Sequence, residues 1–355
     1  MGPPKKHRSR QSILYIINAL DTGGAEVGMC RLLDGLDANR YDVTVVSLNG
    51  CNPSFLTRVP DDVTVINIKD SSVHDVSTIV SEARTVDVIV GSLYHSVLLA
   101  RILGLLNRDA TIATWQHNEV FKTEIRKYAI GLTNKLSDVV LADSEPVAEM
   151  YCDEFDVDSK FVKTVPIAGI DLDKYEPKHH QDKDTVLVGS VGRLVEQKNY
   201  RALVKVAEGL IAEDIEFRIV GDGPLRSNLK NLIKRKELDN IELVGEIEDV
   251  PSFLESLDIY IQPSRWEGLC MTVIEAMAAG LPIVASAVGG IEYNVTNDKN
   301  GFLHEPGDVN GYSDSIRRLA GDPAKRQQFG QRGREIVKRS YTQEVLVSEF
   351  EKSIL

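Results

Sequence analysis

The sequence predicts an α/β protein of two domains of comparable size, each a parallel sheet flanked by helices. Three observations lead there. Short β-branched runs alternate with amphipathic segments along most of the chain. The runs are apolar throughout, as strands buried on both faces of a parallel sheet are. After a polar interruption at Asp171–Asp184, which holds Pro177 and His179-His180, the alternation begins again. A chain of 355 residues also exceeds what one hydrophobic core ordinarily serves.

The first half opens with a strand at Ile13–Ile17, a glycine turn at Thr22-Gly23-Gly24 and a helix from about Ala25 to Leu36, which together start a βα unit. Further strands are expected at Val43–Leu48, Val63–Ile68, Val86–Val90, Ala110–Thr114, Val139–Ala142 and Val162–Ile167. The second half supplies Thr185–Val191, Glu216–Val220, Ile241–Val244, Leu257–Ile261, Ile283–Ser286 and Gly301–His304. Three helices, about 309–319, 324–340 and 342–354, follow with no strand between them. The expected division is a disordered basic tail over 1–10, a first domain over 11–175, a linker over 176–184 and a second domain over 185–340. The helix over 341–355 is expected to pack back toward the first domain.

Composition excludes several classes. A net charge of -12 argues against a general nucleic-acid binder, which needs a basic face to neutralise phosphates. Cys30, Cys51, Cys152 and Cys270 are far apart and form no CxxC pair, so a zinc site or disulfide framework is not expected and a reducing cytosol is. No apolar run approaches the roughly 18 to 20 residues that span a bilayer, which leaves a soluble protein or one lying on a membrane surface. Lys5, Lys6, Arg8 and Arg10 precede a short apolar segment with no small-residue cleavage pattern, and read as a tail before a buried strand rather than a signal peptide.

Polar residues cluster after the strands of the second half, and in a parallel sheet those ends share one edge. After Leu257–Ile261 come a Glu267-Gly268 turn and a helix from about Cys270 to Ala279, stopped by Gly280 and Pro282. Glu267 thus stands on a loop and Glu275 on the helix. The unpaired N–H groups near Leu269, Cys270, Met271 and Thr272 make an anion cradle. Arg193 offers a planar fork of donors and Lys198 a point charge, a pair suited to a diphosphate and equally to a capped helix start with two solvated cations. Gly221-Asp222-Gly223-Pro224 reads as a tight strand-to-helix turn, and Gly289-Gly290 adds flexible backbone at the next strand end.

Taken together, Arg193-x4-Lys198, Gly221-Asp-Gly-Pro224, Glu267-x7-Glu275, Gly289-Gly290 and Gly23-Gly24 resemble a retaining glycosyltransferase of family 4, with GT-B architecture, over about residues 11–355. The resemblance implies two Rossmann-like domains closing on a nucleotide-sugar donor. It implies that Arg193 and Lys198 neutralise the donor diphosphate, that Glu267 holds a sugar hydroxyl and Glu275 the ribose, and that the base lies near Gly245 to Asp249, beside Ile247. Gly24 would lie near the donor phosphates, with Gly23, His95 and Asn118 toward the acceptor or cleft. His117, in Trp115-Gln116-His117-Asn118, would face the donor sugar as a catalytic contact. Leu269 and Cys270 depart from the family's usual aromatic and Gly, which touches donor-sugar selectivity.

The implied activity needs no metal and no cofactor, the nucleotide sugar being a substrate. By family frequency the donor is a UDP-sugar and the acceptor a saccharide or lipid-linked saccharide in polysaccharide biosynthesis. Two other readings are a nucleotide-sugar epimerase or hydrolase of the same architecture and an inactive sugar-nucleotide binding subunit. Asp156-Val-Asp158 and Asp171-Leu-Asp173 do not follow a first nucleotide-binding domain as a metal-binding triplet would, and the first glycine turn lacks the G-x-G-x-x-G spacing of a dinucleotide fingerprint. A helix over about Glu119–Leu136 sets Lys122, Arg126, Lys127 and Lys135 beside Phe121, Ile125, Tyr128 and Ile130. That spacing suits an anionic membrane surface, and equally a surface helix with a buried face. The expected location is cytoplasmic, with the cytoplasmic membrane face as the peripheral alternative.

Overall fold

The computed structural model describes residues 10–21, 23–69, 73–117, 121, 123–182 and 184–354. The chain divides into two compact units, one of residues 1–169 with 343–355 and the other of residues 170–342. The tail expected over 1–10 falls outside the described residues except for Arg10.

The first unit is a seven-stranded sheet of β1 (Gln11–Ile17), β2 (Tyr41–Ser47), β3 (Thr64–Asn67), β4 (Val88–Ser92), β5 (Thr111–Gln116), β6 (Val139–Ala142) and β7 (Val162–Thr164). Its order is β3-β2-β1-β4-β5-β6-β7, and every pairing is parallel. Leu14, Ile16, Val46, Ile89 and Ile112 are buried in one of its cores. The last strand stops at Thr164 rather than Ile167, because its one partner, β6, ends at Ala142, whose carbonyl accepts the Val165 N–H at 2.8 Å.

The helix Gln343–Ile354 belongs to this unit. Gln343 Nε2 donates to the Arg31 carbonyl at 2.8 Å, Tyr41 donates to Glu351 at 2.9 Å, and Phe350 stacks on Trp115 with ring centres 5.9 Å apart.

The second unit is a six-stranded sheet of β8 (Val186–Val191), β9 (Ile215–Val220), β10 (Ile241–Gly245), β11 (Ile259–Gln262), β12 (Ile283–Ser286) and β13 (Gly301–His304). The order β10-β9-β8-β11-β12-β13 reverses direction between β8 and β11, the point at which an open parallel sheet presents its ligand crevice.

The stretch 176–184, expected as a linker, is instead fastened to the second unit. Lys178 N–H donates to the Ala279 carbonyl at 3.0 Å, His180 Nε2–H to the Gly280 carbonyl at 3.1 Å, and Arg326 to the Gln181 carbonyl at 2.8 Å. Two of these bonds use its backbone, while Glu176, His179, Gln181, Asp182 and Asp184 remain exposed.

Two further local readings change. The helix expected over 119–136 is Glu124–Thr133, capped by the Thr123 hydroxyl and followed by a 3-10 turn at Asn134–Leu136. The Asp-x-Asp triplets close local turns: Asp158 accepts the Lys160 N–H at 3.0 Å and Asp171 accepts the Asp173 N–H at 3.1 Å. Among the described residues no helix is long and apolar enough to cross a membrane.

Candidate functional site

At the carboxyl edge of the second sheet, glycines let successive turns lie against one another. A Cβ on Gly221, whose φ is +130°, would fall 2.1 Å from the Gly192 carbonyl oxygen, and the Gly221 N–H donates to the Gly245 carbonyl at 2.7 Å. The chain leaving β8 therefore passes Arg193 and forms a 3-10 turn at Glu196–Lys198, which aims Lys198 at the loop after β11.

There Lys198 Nζ donates to Glu267 Oε1 at 2.7 Å. The same oxygen accepts the Ser264 hydroxyl at 2.6 Å, and Glu267 Oε2 accepts Gln197 Nε2 at 3.3 Å. Ser264 is held in turn by Gln262 Nε2 at 2.9 Å, and Gln262 accepts from the Tyr260 hydroxyl at 3.0 Å. The Lys198 and Glu267 side chains are 15% and 5% exposed, so the pair is nearly withdrawn from water. Burial alone lowers the Lys198 pKa. Cys270, when ionised, and the Glu267 carboxylate oppose that effect and hold the ammonium above the ordinary lysine range. The cation is thus fixed and charged, with N–H bonds beyond the one given to Glu267.

Cys270 adopts a left-handed conformation (φ 58°) as the residue before the helix Met271–Ala278. Its thiol lies 3.9 Å from Lys198 Nζ and 3.8 Å from Thr272 Oγ1, and burial followed by the Glu267 charge pushes its pKa up to about 12, so it is neutral at pH 7. Gly290 locks this loop: its N–H donates to the Gly268 carbonyl at 2.6 Å, and a Cβ there would fall 2.9 Å from Leu269 Cα.

Lys198, Glu267, Cys270 and Thr272 are therefore brought together, with Met271 opening the same helix, Leu269 buried just before it and Glu275 buried farther along it. Arg193 is exposed on the turn after β8 and makes no ion pair among the described residues. Gly245 ends β10 and Ile247 follows it on the same sheet edge.

The first unit gathers a second constellation. His117, just beyond β5, places Nδ1 2.8 Å from Asp143 Oδ2 and Nε2 2.8 Å from Ser92 Oγ, and all three residues are buried. Gly23 precedes the helix Gly24–Gly35 as its cap, and His95 is exposed in the first turn of the helix Tyr94–Gly104. Asn118 lies outside the described residues. Among the described residues no three His, Cys, Asp or Glu side chains form a group that could hold a metal ion.

Gln197, Gln262, Ser264, Ser92 and Asp143 were not singled out from the sequence. Ser92, Asp143 and Gln262 end or directly follow parallel strands, which is the signal that could have found them.

Residues 171–336 match the family profile described as glycosyl transferases group 1. A relative from Haemophilus influenzae, an uncharacterized glycosyltransferase, is 28% identical over 362 residues, covering 96% of this chain and 98% of its own. Among solved structures, Anabaena HepE in complex with UDP and glucose superposes with a TM-score of 0.84 at 19% identity, covering 96% of this chain and 98% of that one. The chain has the GT-B fold, and its second unit carries the group 1 glycosyl transferase profile. A third similarity is partial: the Escherichia coli UDP-Gal:alpha-D-GlcNAc-diphosphoundecaprenol alpha-1,3-galactosyltransferase is 31% identical over 195 residues, 49% of each chain. The two α/β units and their all-parallel sheets are the GT-B domains that the motifs implied, and the matched profile spans nearly the whole second unit.

Proposed function

We propose that this chain is a retaining glycosyltransferase of family 4 that moves a hexosyl or related sugar from a UDP-sugar to a saccharide or lipid-linked saccharide in glycan synthesis, without metal or cofactor. The observation that carries the reading is the Lys198–Glu267 pair standing 2.7 Å apart beside the helix that begins at Met271. A departing diphosphate gains negative charge as the sugar becomes oxocarbenium-like. Lys198, Arg193 and the first N–H groups of that helix stabilise that developing charge, the differential binding that accelerates a reaction. Their positive charge is the basis for a reaction without metal. Glu267 holds Lys198 in place and accepts from a sugar hydroxyl, Glu275 serves the ribose, and the leaving phosphate takes the acceptor's proton on the same face. The donor nucleotide is supported by the UDP named in the HepE structure, and the acceptor class by the diphosphoundecaprenol named in the E. coli relative.

Thermal unfolding with nucleotides in EDTA tests the donor site. A ligand at a hundred times its Kd adds about 2.7 kcal/mol to the folded state. UDP is expected to raise the midpoint by several degrees with EDTA present. A rise only when magnesium is supplied would overturn the metal-independent reading, and no response to UDP, GDP or ADP would overturn the donor site.

Peripheral attachment to an anionic membrane is part of the same proposal. On the helix Glu124–Thr133, Ile125, Tyr128 and Leu132 are 80%, 69% and 67% exposed and lie on one face at helical spacing, which Lys135 continues. The adjacent helix Tyr94–Gly104 and its end expose Ile102, Leu105 and Leu106. Residues 94–136 carry six Lys or Arg against three acidic residues, in a chain of net charge -12. The structure alters the face expected from sequence, because Ile130 is buried and Lys127 is paired with Glu154 at 2.5 Å. Anionic vesicles are expected to float with the protein and neutral ones without it, and Ile125→Ser with Leu132→Ser to abolish flotation. Equal partitioning to both vesicles, or none, would refute attachment.

A further inference from the structure

In the buried chain Ser92–His117–Asp143, the donor-site reading uses His117 but gives no part to Ser92 or Asp143. Its members stand at the ends of three neighbouring strands, β4, β5 and β6, where the register pairs Ser92 with Trp115 and Gln116 with Ala142. The carboxylate of Asp143 can only accept, so the contact of 2.8 Å to Nδ1 requires the proton on Nδ1. In neutral His117 the Nε2 lone pair then takes the Ser92 hydroxyl at 2.8 Å. The ring cannot turn away easily. Trp115 lies nearly parallel to it, 12° between planes at 6.0 Å, and Phe350 backs Trp115 at 10°.

Two observations set this apart from ordinary core packing. Asp143 Oδ1 and the neighbouring Ser144 Oγ are buried with no hydrogen-bond partner, whereas buried polar atoms nearly always have one. Leu93, directly after Ser92, has φ 73° and ψ 160°, a conformation normally left to glycine, and such strain gathers at functional sites. The order Ser–His–Asp is also that of a nucleophilic triad, but Ser92 is fully buried and cannot reach a substrate carbonyl.

We propose that Asp143 is a positioning residue: by holding the proton on Nδ1 it commits His117 Nε2 to accept, so that the ring binds a carbohydrate hydroxyl in exchange for that of Ser92. This rests on the glycosyltransferase reading for its ligand class. It implies that His117 recognises a hydroxyl donor, not a carbonyl or a phosphate oxygen.

The test is nitrogen NMR of histidine-labelled full-length protein, with transfer kinetics and UDP affinity measured beside it. Wild type is expected to show the Nδ1–H form. In Asp143→Asn, which is the same size, the amide can donate to Nδ1, and the proton is expected to move to Nε2, with kcat falling on the order of a hundredfold and UDP affinity changing less than twofold. Asp143→Ala, read the same way, is expected to release the fixed tautomer into a mixture. An Nε2–H form in wild type, an unchanged tautomer in both variants, or a loss of UDP affinity equal to the loss of kcat would overturn the positioning role. Because the tautomer is read without substrate, a failure there is distinct from a failure of donor binding.

Discussion

Lys198→Ala is expected to lower kcat/KM for sugar transfer at least about a hundredfold, the loss of roughly 3 kcal/mol typical when one preorganised donor to a developing anion is removed. The side chain that would be lost is a buried cation aimed by its own 3-10 turn and kept charged by Glu267. Sequence alone suggests a far larger loss of turnover than of stability. The burial of the pair adds to that expectation a measurable decrease in stability, softened because Ser264 and Gln197 still donate to the Glu267 carboxylate. Steady-state transfer assays decide the first part, and turnover like wild type would remove Lys198 from the reaction.

Glu267→Ala has the larger effect on folding. It leaves the Lys198 ammonium, 15% exposed, with no carboxylate beside it, and breaking a buried pair from one side typically costs about 3 to 5 kcal/mol. The double replacement Lys198→Met with Glu267→Leu removes both charges and is expected to recover most of that stability while remaining inactive. Urea unfolding of the three variants measures it. A single variant within about 0.5 kcal/mol of wild type would mean that water or Gln197 compensates the charge, and that the pair does not organise the site.

The sequence revealed the strand ends but not the pairs between them. Lys198 and Glu267 are 69 residues apart and meet only because β8 and β11 are neighbours in the sheet, an adjacency that hydrophobic periodicity does not encode. For the same reason Asp143 went unnoticed beside His117, although both immediately follow strands that could be read from their apolar runs. Glycines were informative where backbones touch: Gly221 and Gly290 stand at contacts too close for a Cβ. The stretch 176–184 misled because Pro177 and two His residues have a linker's composition, while their bonding partners, Ala279 and Gly280, are a hundred residues away in sequence. Cys270 could be named as a departure from a family pattern, but only its left-handed backbone and its approach to Lys198 reveal what it does there.

The most direct measurement is proton NMR of the linkage formed from an α-linked UDP-sugar and a lipid-linked saccharide acceptor, followed from the first minutes in EDTA. An α-linked product with one UDP released per sugar transferred is the predicted result. A β-linked product, or UDP released with only free sugar, would contradict retaining transfer by this chain.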